Sequence, residues 1–304
     1  MFKTGFITVV GKPNAGKSTL VNKLVGYKVA ITTPKPQTTR FNIKGIITDE
    51  DSQMIFIDTP GIHIPHDKLG KYMMKGVESA IKSIDCIIYL VDGSRPKIDE
   101  ASENIIKNIV QTKTPVILAI NKIDKIKKEY LLKIIAEYDS YIKSIGASFS
   151  DVVPISVYKE DGIDELLKCI KNYLPEGEKI YSEDDITDIT EREIVEEIIR
   201  EKALNNLDEE VPHGIKVEVE KFKKRKTRNK EPIYDIEVNI ICEKDSHKGI
   251  IIGKDGSMLK KIGAQSRHDI EDMMQDKVNL KLWVKVRRNW QDDENYLKNI
   301  KDKI

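Results

Sequence analysis

The run Gly11-Lys12-Pro13-Asn14-Ala15-Gly16-Lys17-Ser18 sets two glycines ahead of a lysine and a serine, between a β-branched stretch at 6–10 and an amphipathic one at 19–25. A strand that turns through such a loop into a helix aims backbone N–H groups, and the positive end of the helix, at an anion. Lys17 is then placed to neutralise the outer phosphates of a nucleoside triphosphate, and Ser18 offers a hydroxyl to magnesium. Further on, a strand-like run ends in Asp58-Thr59-Pro60-Gly61. It supplies a carboxylate to hold magnesium through water and a glycine N–H that can sense the terminal phosphate. Asn121-Lys122-Ile123-Asp124 follows the apolar run 116–120. A carboxylate at Asp124 accepts from both guanine N1–H and the guanine 2-amino group, a donor pair that adenine lacks. The set therefore favours GTP over ATP, because a site whose buried acceptors go unpaired rejects the wrong base.

Two further stretches belong to the same chemistry. Ser156 and Val157 follow the apolar run 152–155 and are expected to face guanine O6 through backbone N–H groups. The polar stretch 28–40, with Thr32, Thr33, Pro34, Pro36, Thr38 and Thr39, is too irregular for a helix or strand and reads as a loop. Thr39, with Thr38 as the alternative, would complete magnesium coordination when the terminal phosphate is present. The residue after Gly61 is Ile62, at a place where other GTPases carry a water-orienting glutamine. No side-chain base is evident, so slow intrinsic hydrolysis is expected, and His63 reads as a solvent-facing loop residue.

The elements that must position these residues are legible in the hydrophobic pattern. Runs at 6–10, 54–57, 86–91, 116–120 and 152–155 alternate with amphipathic stretches, the signature of an α/β fold: a mostly parallel sheet with helices on both faces. Each motif lies just after a strand, where open α/β sheets bind ligands. Pro175 and Gly177 close this unit, which gives domains at 1–177 and 178–304. The second reads as helix, two strands, two helices and strand, a compact α+β unit. The chain has 304 residues, 39% of them hydrophobic and 33% charged, enough for two cores under a well-solvated surface. Its apolar runs are strand-sized, too short to span a membrane, and its three scattered cysteines form neither a disulfide framework nor a zinc motif. A reducing cytoplasm fits best.

In the second domain, Gly253-Lys254-Asp255-Gly256 sits between an apolar run and a helical stretch, as does the GXXG loop with which KH domains clamp single-stranded nucleic acid. Lys254 suits a phosphate contact, while the acidic Asp255 leaves much of the binding to backbone donors. Residues 221–230 carry seven basic residues and no acidic one, so Lys223, Lys224 and Arg225 are further candidates for RNA contact. The plainer alternative for that run is a solvated hairpin tip.

The run 11–19, together with Gln37-Thr38-Thr39-Arg40, Asp58 to His63 and Asn121 to Asp124, resembles the Era-like family of bacterial GTPases, and the similarity extends through the second domain. The resemblance implies a P-loop GTPase domain followed by a KH domain of bacterial (type II) topology. It implies nucleotide contacts at Gly11, Lys12, Pro13, Asn14, Ala15, Gly16, Lys17, Ser18, Thr19, Asp58, Thr59, Pro60, Gly61, Ile62, Asn121, Lys122, Asp124, Ser156 and Val157. Magnesium would be held by Ser18, Thr39 and, through water, Asp58; Lys17, Thr39 and Gly61 would act on the transition state or the switch. In potassium-stimulated GTPases an asparagine at the place of Asn14 helps hold K+, and a turn-stabilising role is the alternative. The implied activity is slow hydrolysis of GTP to GDP and phosphate by a monomer that binds 16S rRNA and serves assembly of the 30S subunit. The location is the cytoplasm, with peripheral association at the cytoplasmic face of the cell membrane left open. The competing reading is an RNA-binding adaptor that binds GTP without significant hydrolysis.

Overall fold

The structure, a computed structural model, describes residues 1–33, 35, 43–58, 84–208 and 211–292. The first unit runs β1 (Lys3–Val10), α1 (Lys17–Val25), β2 (Ile43–Thr48), β3 (Ser52–Asp58), β4 (Cys86–Asp92), α2 (Glu100–Gln111), β5 (Val116–Asn121), α3 (Lys128–Ser144), β6 (Asp151–Pro154) and α4 (Ile163–Tyr173). Its strands lie in the order β2-β3-β1-β4-β5-β6, all parallel except for the antiparallel β2–β3 pair. Strand β2 is not evident in the hydrophobic pattern. It is an edge strand, where Lys44 and Gly45 interrupt the apolar run, and its pairing with β3 rather than its own sequence makes it a strand.

Alternate residues of the central strands feed two separate cores. Cys86, Ile88 and Leu90 pack with Leu20 and Val21 of α1 and Leu166 and Ile170 of α4. Ile87, Tyr89 and Val91 pack with Ile105, Ile106 and Ile109 of α2 and Ile134, Tyr138 and Ile142 of α3. That period-2 division, with strands buried on both faces, is what a parallel sheet covered by helices requires. Helix α2 is capped by Asp99, whose carboxylate accepts from the Ser102 N–H at 3.0 Å and from Lys12 Nζ at 3.1 Å. Those backbone and side-chain bonds hold its pKa down at about 2. The chain leaves β1 towards β3 on one side and later reaches β4 on the other. The topological switch point therefore adjoins the loop that follows β1.

The second unit comprises α5 (Glu191–Asn206), β7 (Lys216–Lys226), β8 (Pro232–Cys242), α6 (Asp245–Ile252), α7 (Ser257–Met274) and β9 (Lys277–Val286). Strands β7 and β8 pair antiparallel and β8 and β9 parallel, the helices cover one face, and this is the expected order of elements. Thr190 opens α5 with a reciprocal capping box, its side chain on the Glu193 N–H and the Glu193 carboxylate on the Thr190 N–H. Between α4 and α5 the chain follows the edge of the first sheet: the Ile46 N–H donates to the Ile186 carbonyl at 2.9 Å, and Gln53 Oε1 accepts from Ile180 and Tyr181. No helix among the described residues is long and apolar enough to cross a membrane.

Candidate functional site

Every nucleotide motif with described residues lies at the carboxyl end of the sheet. After β1 the loop turns through Gly16, whose φ of +104° suits glycine and where a Cβ would stand 2.6 Å from the Asn121 amide. Lys17 and Ser18 then open α1. The Lys17 ammonium rests on the carbonyls of Gly11 and Lys12 at 3.0 and 3.1 Å, curled over the space where phosphates would lie. Burial lowers its pKa and the nearby Asp58 carboxylate opposes that shift. A cation short of anionic company is one that a phosphate would stabilise. Pro13 and Thr19 are exposed, and Ala15 is buried. Lys12 contributes its backbone only, since its side chain points to Asp99 and the Lys97 carbonyl.

Asp58, at the end of β3 and fully buried, accepts from the Ser18 hydroxyl at 2.8 Å. An alcohol and a carboxylate side by side beneath a phosphate loop are the hard oxygen donors that Mg2+ selects. This donor set fits the ion, which when bound would supply positive charge to the phosphate oxygens. Thr38, Thr39, Thr59, Pro60, Gly61, Ile62 and His63 lie outside the described residues.

The base-recognition side is built by ties between loops. The buried Asn121 donates from Nδ2 to the Ala15 carbonyl at 2.9 Å, locking the end of β5 to the phosphate loop. Lys122, at φ +65°, reaches from Nζ to the Asn14 carbonyl at 2.9 Å and to Asp92 at 2.5 Å. Burial acts to raise the Asp92 pKa, but hydrogen bonds from Lys122 and Ser94 outweigh it and leave the group lowered. Sequence reasoning missed Asp92. Its signal was available, because it ends the buried strand β4 as Asp58 ends β3. Asp124 stands exposed where a base would sit, and its Oδ1 accepts from the buried Ser156 hydroxyl at 2.5 Å. That bond aims the carboxylate.

The loop after β6 differs from expectation. The Ser156 and Val157 N–H groups do not point freely at a base, because Ser156 donates to the Asp161 carbonyl at 2.9 Å and Val157 to Asn121 Oδ1 at 3.2 Å. Closing the loop on itself consumes these donors, and what Ser156 brings to Asp124 is its hydroxyl.

In the second unit Gly253 and Gly256 bracket the turn between α6 and α7, with φ of +71° and +74°. A Cβ on Gly253 would stand 2.7 Å from Met258 Cβ, so the turn itself needs this glycine, whereas Gly256 faces open space. Lys254 and Asp255 are exposed at the tip. The seven basic residues considered for RNA contact are not all uncompensated, since 221–226 continue strand β7 and carboxylates face three of the cations. Lys221 pairs with Glu237 at 3.2 Å, Lys224 with Asp276 at 2.7 Å, and Arg225 makes a forked pair with Asp235 at 2.6 and 3.1 Å. Lys224 also lies over the Tyr234 ring. Lys223 is exposed.

Residues 6–122 match the family described as 50S ribosome-binding GTPase, and residues 210–291 match the KH domain family. The GTPase Era of Clostridioides difficile (strain 630) is 48% identical over 300 residues, covering 98% of each chain. The chain belongs to the Era GTPase family. Among other Era relatives, that of Ruminiclostridium cellulolyticum is 49% identical over 98% of this chain and 97% of its own. The fold agrees end to end with a crystal structure of Era in complex with MgGDPNP and nucleotides 1506–1542 of 16S ribosomal RNA, with a TM-score of 0.89, 39% identity and 98% coverage of both chains. A single-site variant of Aquifex aeolicus Era bound to GDP·AlF4− superposes equally well, with a TM-score of 0.89 at 38% identity over 98% of both chains. Era membership accounts for the pairing of a P-loop GTPase domain with a KH domain in one chain.

Proposed function

We propose that this chain binds GTP with Mg2+, hydrolyses it slowly to GDP and phosphate, and holds the 3′ segment of 16S rRNA in its KH domain during assembly of the 30S subunit. The observation that carries the reading is the convergence of Lys17, Ser18 with Asp58, and Asp124 with Ser156 on one end of one sheet, in the same chain as a GXXG turn. The small-subunit assignment is supported by the relative that matches over its whole length with 16S rRNA bound, rather than by the shorter match to a family described by the 50S particle. In the reaction, water adds to the terminal phosphorus as the bond to the bridging oxygen breaks, and GDP leaves. Lys17 would follow the charge that builds on the phosphate oxygens, and Asp124 would hold the base so that the phosphates lie in the loop. Thr39 and Gly61 are the proposed switch groups, with Thr39 completing the magnesium shell. We place the domain division between α4 and α5, near residue 178. The protein would work as a monomer in the cytoplasm, with peripheral contact at the membrane face a further part of the reading.

The RNA half is tested with Gly256→Asp. Aspartate tolerates a positive φ better than most residues, and no atom obstructs a Cβ at this position, so the variant should fold. Placing negative charge where backbone donors meet phosphates should cost about 1–3 kcal/mol of affinity, the worth of a good nucleic-acid contact. Anisotropy of a labelled single-stranded 16S rRNA 3′ oligonucleotide at two salt concentrations reads this. Affinity should fall in the variant and, for the parent, with salt. Undiminished affinity in a folded G256D protein would leave the loop a structural turn.

Asn14 sits in the phosphate loop at φ +63°, its carbonyl tied to Lys122. A potassium ligand role here predicts faster GTP hydrolysis in K+ than in Na+ at matched ionic strength. Equal rates would assign Asn14 to the turn alone.

A further inference from the structure

An open cavity of about 610 Å³ lies beside the phosphate loop, between the turn that leaves β4 and helix α3. Small-molecule sites commonly enclose about 300–1,000 Å³, so the space suits a ligand of modest size. One wall is the segment 94–99, whose backbone is firmly held. The Arg95 N–H donates to the Asp92 carbonyl at 2.9 Å, the Ser94 N–H and hydroxyl donate to the Asp92 carboxylate at 2.9 and 2.6 Å, and the Lys97 carbonyl accepts from Lys12 Nζ at 3.1 Å. Asp99 is already spent on Lys12 and on the cap of α2, so that pair leaves little for a ligand. Arg95 and Lys97 differ, because both are exposed and no carboxylate among the described residues pairs with either.

The opposite wall comes from α3. Tyr130, 46% exposed, and Glu137, two turns further on, both line the cavity, and neither the phenol nor the carboxylate has a partner among the described residues. Three kinds of group therefore face one space. A guanidinium and an ammonium suit a phosphate, an exposed ring suits stacking by a flat base, and a carboxylate accepts from an amino group. Glu137 decides among anionic ligands. A bare polyanion or an acidic peptide would gain from Arg95 and Lys97 but be repelled by the carboxylate and leave the ring unused. A nucleotide joins an anion to a planar ring that carries N–H donors, and so satisfies all three.

We propose that this cavity binds one nucleotide whose base bears an amino group, apart from the GTP site: the phosphate on Arg95 and Lys97, the base stacked on Tyr130, and its amino group donating to Glu137. A free nucleoside monophosphate and a residue of single-stranded RNA present the same chemistry here. Cytosine separates the amino group from everything else, since uracil has the same size and carries an oxygen in that place.

The test uses the full chain saturated with GDP and Mg2+, so that the guanine site is filled, and equilibrium dialysis against labelled CMP. One CMP should bind per chain, and Tyr130→Ala and Arg95→Ala should each weaken it about tenfold, the loss of a stacked base or of a charged phosphate contact. Tyr130→Phe keeps the ring and should stay within twofold of the parent. UMP should bind several-fold more weakly than CMP, and Glu137→Ala should erase that preference. All of these side chains are exposed, and a thermal melt checks that the variants fold. A tetracytidylate strand in a Gly256→Asp background, which disables the GXXG loop, distinguishes the sources. A strand bound at least tenfold more tightly than CMP, and weakened by Arg95→Ala, makes the ligand RNA; a strand bound no more tightly makes it the free nucleotide. No CMP bound beyond the GDP, CMP affinity unchanged in both Y130A and R95A, or inorganic phosphate competing as well as CMP itself overturns the proposal.

Discussion

Lys17→Ala should abolish tight GTP binding while leaving the protein folded. The lysine contributes little to the core, its ammonium resting on two loop carbonyls, and burial disfavours its charge more than the nearby Asp58 supports it. Its removal therefore costs the apo fold little and the nucleotide complex a great deal. Charge-assisted hydrogen bonds contribute about 1.5–3 kcal/mol each, so losing contacts to two phosphates should raise the Kd by roughly 10² to 10⁴. Titration with a fluorescent GTP analogue, paired with a thermal melt, measures both quantities. GTP affinity within a few-fold of the parent would remove Lys17 from the phosphate site.

Asp124→Asn should move the preference from guanine to xanthine. The carboxylate offers two acceptors to N1–H and the 2-amino group, whereas an amide offers one acceptor and one donor, which suits the oxygen that xanthine carries in place of that amino group. The Ser156 hydroxyl can still donate to Oδ1, so the side chain should keep its orientation and the loop its shape. A donor set against a donor leaves buried groups unpaired at about 1–3 kcal/mol each, so GTP affinity should fall at least ~30-fold. Competition of GTP, XTP and ATP for one labelled nucleotide reads the order directly. Unchanged GTP preference in the variant would mean that Asp124 does not face the base.

The candidate site residues were legible because their spacing is imposed by short local geometry. A glycine-bearing loop between a strand and a helix, and a polar residue ending each buried strand, leave marks in the linear chain: Gly16, Lys17, Ser18, Asp58, Asn121 and Asp124 all stand where the pattern put them. Non-local pairing left no such mark. Strand β2 exists because β3 accepts it, and 221–226 remain extended because they pair in register with β8, with Asp235, Glu237 and Asp276 beside their charges. Val157 failed for a different cause, since a backbone donor reveals nothing of its partner through residue type.

The central claim, that this chain hydrolyses GTP and is not only an RNA-binding adaptor locked by nucleotide, is tested most directly by phosphate release. Purified full-length protein with Mg2+ is given GTP or ATP, with and without the single-stranded 16S rRNA 3′ oligonucleotide, beside the Lys17→Ala variant. Slow release from GTP that the variant lacks, with none from ATP, is the predicted result; GTP that stays bound and intact under all of these conditions would contradict it.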